Sequence, residues 1–83
     1  MAKIYSLKPL VENKIILEKF KDVKLSDLKF STRLTNSLKR YEFEIKTVTD
    51  ILKKSEFKIN GFRGMGETNY NELISKLKEI GAL

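Results

Sequence analysis

The stretch Gly61-Phe62-Arg63-Gly64-Met65-Gly66, running straight into Glu67-Thr68-Asn69-Tyr70, decides the fold of this 83-residue protein. After it, Tyr70, Leu73, Ile74, Leu77 and Ile80 recur at spacings of three and four, and Gly81 stands where a helix stops. That spacing predicts an amphipathic final helix with a glycine C-terminus. Glycine admits positive φ and lets the backbone approach another body closely, while the apolar Met65 between Gly64 and Gly66 can plug a core. The opening N–H groups of the final helix then form an anion-ready terminus. A tight turn between two packed helices needs the same glycines, so both readings stand at this point.

Upstream, the helix signals are local. Ser55-Glu56 restarts the chain, and Phe57 with Ile59 supplies apolar surface for one further turn before Gly61. Thr47-Val48-Thr49-Asp50 has capping-box spacing, with Asp in place of the usual Glu or Gln, and Val48, Ile51 and Leu52 form the stripe behind it. Ser31 or Thr32 can cap a helix reaching about Tyr41, with Leu34, Leu38 and Tyr41 on one face. A short helix, a glycine turn and a longer helix make the helix-hairpin-helix pattern, a turn that binds the DNA backbone. The predicted class is therefore all-α, a compact bundle of four or five short helices with a helix-hairpin-helix-like turn. Residues 1–30 leave alternatives open. Ile4-Tyr5-Ser6-Leu7 reads as strand, Pro9 as the opening of a helix containing Leu10, Ile15, Ile16, Leu17 and Phe20, and Pro9 to Asn13 alternatively as a hairpin. A helix over part of residues 9–21 is the favoured reading.

Composition narrows the chemistry. With neither cysteine nor histidine, the protein lacks disulfides, the usual zinc ligands, a nucleophilic thiol and the commonest general base. No convergent acidic set or metal-ligand spacing replaces them, so the reading is not an enzyme, with no cofactor and no metal. The longest apolar run, Ile15-Ile16-Leu17, is far short of the ~20 residues of a membrane span, and the first twenty residues lack a signal-peptide pattern. A cytoplasmic location without membrane association is expected. Seventeen Lys and Arg against eleven Asp and Glu give a net charge of +6, which favours polyanionic partners. Residues 1–30 and 31–60 each hold seven basic and four acidic side chains, whereas residues 61–83 hold three of each. Phosphate contacts at the glycine turn must then rest on backbone N–H groups, with long-range attraction supplied by the first sixty residues.

A second constellation lies on the first core helix, where Arg33, Asn36 and Ser37 share a face. Arg with Asn suits a minor groove, whose negative potential in narrow A-tracts draws the guanidinium. Such residues are also ordinary on a solvated helix face.

Three runs together resemble the C-terminal domain of the bacterial RNA polymerase α subunit. They are Leu28-x-Phe30-Ser31-x-Arg33-x-x-Asn36-x-Leu38-Lys39-Arg40, Thr47-Val48-x-Asp50-Ile51-Leu52, and Gly66-x-x-Asn69-x-x-Glu72-Leu73-x-x-Lys76-Leu77-x-x-x-Gly81. The resemblance covers residues 25–83 in order and spacing, and sets residues 1–24 apart as an N-terminal extension. It implies a SAM-like bundle of four short helices plus a non-regular N-terminal turn, bound to A/T-rich duplex DNA in the minor groove in a transcription-related, bacterial or phage setting. In that family an Arg and an Asn of the first core helix enter the groove, at positions matched by Arg33 and Asn36, with Ser37 beside them. Backbone contacts come from positions matched by Gly64, Gly66, Thr68 and Asn69.

The departures shape the expectation. Thr68 occupies a position that is usually lysine in the family, Glu67 replaces a second common basic residue, and Asn69 stands where Ser is frequent. The loop Tyr41–Lys46 is about two residues longer than usual, with Glu42 where glycine is common. Asp27 matches an acidic position that contacts the σ factor, but Lys29 reverses the charge of its acidic neighbour. Starting at Met1, the chain has no room for the domain that assembles an α subunit into polymerase, so it is expected to be a free-standing copy. Two roles follow: a DNA-binding accessory factor, or a protein-interaction module that mimics the family domain and docks on polymerase, σ factor or a regulator without binding DNA.

Overall fold

A computed structural model describes residues 5–83. Among the described residues five α-helices follow in order: α1 (Lys14–Lys19), α2 (Thr32–Lys39), α3 (Val48–Leu52), α4 (Glu56–Asn60) and α5 (Gly66–Glu79), with a 3-10 turn, Leu25–Asp27, ahead of α2. Sheet-like pairing among the described residues is confined to two isolated bridges, Pro9 with Ser55 and Lys24 with Thr47. The all-α class read from the periodicity is what the protein adopts.

The helices start where short polar side chains take up orphan N–H groups. Ser31 Oγ accepts from the Leu34 N–H and Ser55 Oγ from the Lys58 N–H. Thr47 and Asp50 form a complete capping box, the Thr47 hydroxyl accepting from the Asp50 N–H and the Asp50 carboxylate from the Thr47 N–H. Each such cap is worth about 1 kcal/mol, which matters for helices of five residues that cannot stand alone. Helix α5 ends as expected: the Gly81 N–H donates to the Lys78 carbonyl and the Ala82 N–H to that of Leu77, at 3.1 and 2.9 Å.

Leu34, Val48, Ile51, Leu52, Ile59, Met65, Leu73 and Leu77 are fully buried and form one core. Helix α5 packs on α2 and α4, and α1 on α3. Each of these side chains contributes roughly 1.5–3 kcal/mol by leaving water. Ile59 faces that core as its position predicts, but Phe57, paired with it in the sequence reading, is 57% exposed.

The expected helix within residues 9–21 is present as α1, but its start requires a correction. Pro9 does not open it; α1 begins only at Lys14, capped by Asn13, whose Oδ1 accepts from the Ile15 and Ile16 N–H groups. Nor do residues 9–13 turn back as a hairpin; they pass the end of α3 as irregular chain, with a bend at Leu10. The Leu10 and Val11 N–H groups donate to the carbonyls of Lys54 and Leu52, which a helix C-terminus leaves unpaired. Two successive N–H groups reach the same segment because the backbone bends at Leu10, and this tertiary pairing overrides the helix-opening tendency of proline. Of the strand reading over 4–7, Ile4 lies outside the described residues and residues 5–7 are irregular. Leu10, Val11, Ile16, Leu17 and Val23 pack against the common core, and the Thr49 hydroxyl donates to the Leu17 carbonyl. Packing therefore continues across residue 25.

Candidate nucleic-acid interface

Helix α2 is held at its start by α5. Glu72 of α5 accepts from the Ser31 N–H through Oε2 and from the Ser31 hydroxyl through Oε1, both at 2.6 Å. The Ser31 hydroxyl, then its N–H, hold the Glu72 carboxyl below its ordinary range. One turn of α2 further on, Leu34 and Leu38 go into the core, and the exposed residues divide into two flanks. Arg33, Asn36 and Arg40, at spacings of three and four, share one of them.

On that side Ser37 meets the glycine turn. Only 4% exposed, Ser37 donates its hydroxyl to the Arg63 carbonyl at 3.1 Å. The Arg63 N–H donates to the Tyr41 hydroxyl at 2.7 Å, and the Tyr41 ring stacks on Phe62 with centroids 4.1 Å apart. From the other side, the Asn69 amide donates to the Gly64 carbonyl at 2.8 Å, and Met65 fills the core beneath. Gly64 and Gly66 have φ of +80° and +55°, so side-chain-bearing residues are strained at both. A Cβ at Gly66 would meet nothing within 4 Å, which makes its constraint one of backbone conformation alone. The start of α5 has no side-chain cap. At 14 residues, α5 carries the full N-terminal partial charge at that point.

The structure thus places the sequence-predicted residues in two groups. Arg33, Asn36, Gly64, Gly66 and Thr68 are exposed around the α2–turn junction. Ser37 and Asn69, the latter 5% exposed, are buried, with their polar atoms spent on the turn's own carbonyls. Asp27 and Lys29 are exposed on the segment leading into α2. Arg40 and Arg63, also exposed, were not among the sequence candidates. Arg40 was findable, since it repeats the Arg33 spacing one turn after Asn36. Arg63 lies within the glycine turn, but its closeness to α2 depends on the Ser37 and Tyr41 bonds, which leave no local signal.

The site is thus a basic flank of α2 locked to a glycine turn within a small all-α domain. The family model for the C-terminal domain of the bacterial RNA polymerase alpha chain matches residues 12–79, from just before α1 to the last residue of α5, and the protein belongs to that family. It is accordingly a domain of the transcription machinery's kind and not an enzyme. No curated protein sequence and no solved structure gives a significant match. No helix among the described residues is long and apolar enough to cross a membrane.

Proposed function

We propose that this domain binds A/T-rich duplex DNA through the minor groove, with Arg33 as the principal groove residue and Asn36 beside it. Gly64, Gly66 and Thr68 set backbone N–H groups against the phosphates. Ser37 and Asn69 serve by holding the turn in place, and Arg40 and Arg63 add basic side chains to the same side. The observation that carries this reading is the Ser37–Arg63 hydrogen bond, which fixes the Arg33 flank of α2 directly beside the glycine turn. Groove and backbone contacts then arrive as one rigid unit, whose ordering cost is met on folding rather than on binding.

The test is fluorescence anisotropy on A-tract and G/C-rich duplexes across a salt series. Arg33→Ala is expected to weaken A-tract binding by about 1–3 kcal/mol, roughly five- to 150-fold, while changing stability by no more than about 0.5 kcal/mol. Equal A-tract affinity in the variant overturns the assignment. A second reading rests on the neutral balance of residues 61–83. With Glu67 and Thr68 where the family usually carries basic residues, backbone attraction is weak, and the domain docks on polymerase, σ factor or a regulator through Asp27 and Lys29. Recovery of one of those proteins with no duplex binding at low salt selects it.

A further inference from the structure

On the flank of α2 opposite Arg33 lies a groove of about 700 Å³, between α2, the 3-10 turn and the loop 40–46. Its floor is apolar: Leu25, Leu38 and Ile45 are buried core residues, and Leu28 and Phe30 are half-buried. Phe43 stands at its lip, 89% exposed. Its rim is basic, with Lys24, Lys39 and Lys46 against the single acidic Glu42. None of those three ammonium groups takes part in an ion pair among the described residues. An aromatic ring left in water at the mouth of an apolar cleft is unfavourable unless something covers it, and a cleft of this volume is in the range that takes a ligand.

We infer that this groove is a docking site for an acidic amphipathic helix of a partner protein. Apolar side chains of such a helix, spaced at i, i+3 or i+4 and i+7, would seat on Leu28, Leu38 and Phe43, and carboxylates on its margins would meet Lys24, Lys39 and Lys46. Charge selects the occupant. Nucleic acid supplies the negative charge but leaves the apolar floor facing phosphates. A second copy of this protein has a net charge of +6, and its own exposed apolar helix residues, Ile15 in α1 and Phe57 in α4, are next to Lys14 and Lys58, which brings like charge to the rim. Position adds an advantage. Thr35 and Lys39 line the groove from one flank of α2, while Arg33, Asn36 and Arg40 lie on the other, so one short helix can serve duplex and partner at once.

The experiment uses three labelled helical peptides of about 14 residues, titrated with the 83-residue protein. One has Leu and Phe on one face and Glu elsewhere, one replaces Glu by Lys, and one keeps Glu but replaces Leu and Phe by Ser. The acidic amphipathic peptide is expected to bind at least about tenfold more tightly than either control, a difference of roughly 1.4 kcal/mol. In the double variant Phe43→Ser, Lys46→Glu that preference is lost, whereas Arg33→Ala retains it. Both changes are at exposed sites, and circular dichroism confirms the fold. Equal binding of the acidic and basic peptides, no binding of any, or undiminished binding by the double variant overturns the inference. So does Phe43-dependent self-association in sedimentation equilibrium, which would assign the groove to a second copy.

Discussion

The turn before α5 and the loop after α2 are both short connections, yet they are held in opposite ways. At the turn, side chains from elsewhere grip the backbone: Tyr41 and Ser37 take the N–H and carbonyl of Arg63, and Asn69 takes the carbonyl of Gly64. The loop closes mostly on itself, with the Glu44 and Ile45 N–H groups both donating to the Tyr41 carbonyl at 2.9 Å; outside bonds reach it towards its end, from Lys54 to Glu44 and from the Leu25 N–H to the Lys46 carbonyl, and Ile45 enters the core. Phe43, two residues before it, is left in water. At the turn, which we propose meets a phosphate backbone, polar side chains fix the main chain. Around Phe43, the proposed partner contact, the backbone is held by local turns. Tyr41 joins the two, its hydroxyl and ring serving the turn and its carbonyl closing the loop.

The sharpest break in that comparison is Met65→Ala against Phe43→Ser. Met65 is fully buried under the turn, so truncation loses transfer free energy and leaves a cavity, an expected cost of about 2–5 kcal/mol. Phe43→Ser removes a solvated ring and is expected to change stability by no more than about 0.5 kcal/mol. Urea denaturation of both variants measures the difference. Comparable losses would mean that the loop is as deeply built into the core as the turn.

That contrast also marks how far the sequence could be read. The capping box at Thr47, the Ser55 cap and the stop at Gly81 lie within four residues of the helix they serve, so spacing alone locates them. Leu34 and Leu38 as core follow from periodicity in the same way, and Met65 as a plug from its place between Gly64 and Gly66. The path of Pro9 is set by the carbonyls of Leu52 and Lys54, more than forty residues away, and no local pattern announces them. The burial of Ser37 and Asn69 is likewise tertiary: each sits at a position that reads as a polar surface site until the turn folds over it. The groove was invisible for the same reason, since its walls come from residues 24–47 brought together by the bridge of Lys24 with Thr47.

Of intermediate size is the effect of Asn69→Ala. The change removes the amide that holds the Gly64 carbonyl and leaves a part-buried acceptor, at an expected cost of about 1–2 kcal/mol in urea denaturation. If the turn is the phosphate anchor, duplex affinity falls as well, and the salt dependence shallows by about one unit of slope for each phosphate that is no longer neutralised. Binding of the acidic peptide at the groove is expected to stay as it is. A variant that loses stability but keeps both duplex affinity and salt slope would show that the turn's rigidity matters to the fold and not to DNA.

The smallest effect concerns acid. Glu72 is held below its ordinary value of 4.5 by the Ser31 hydroxyl and N–H. At Asp50, burial pushes the other way but is outweighed by the Lys46 and Thr47 N–H groups, the Thr47 hydroxyl and the charge of Lys53, so that carboxyl too lies below its ordinary 3.8. A carboxyl depressed in the folded state stabilises fully above its unfolded pKa, and the contribution disappears as pH falls through the folded value. Stability is therefore expected to decline below about pH 4.5, and Glu72→Gln to flatten the part of that decline nearest pH 4 while lowering stability slightly at pH 7. Urea midpoints at pH 7 and at about pH 3.5 give the comparison. Because Glu72 fastens only the start of α2, the Ser37 bond should keep the Arg33 flank against the turn in this variant. Duplex affinity at pH 7 is then expected to hold, and a marked loss there would move the anchor of α2 from Ser37 to Ser31.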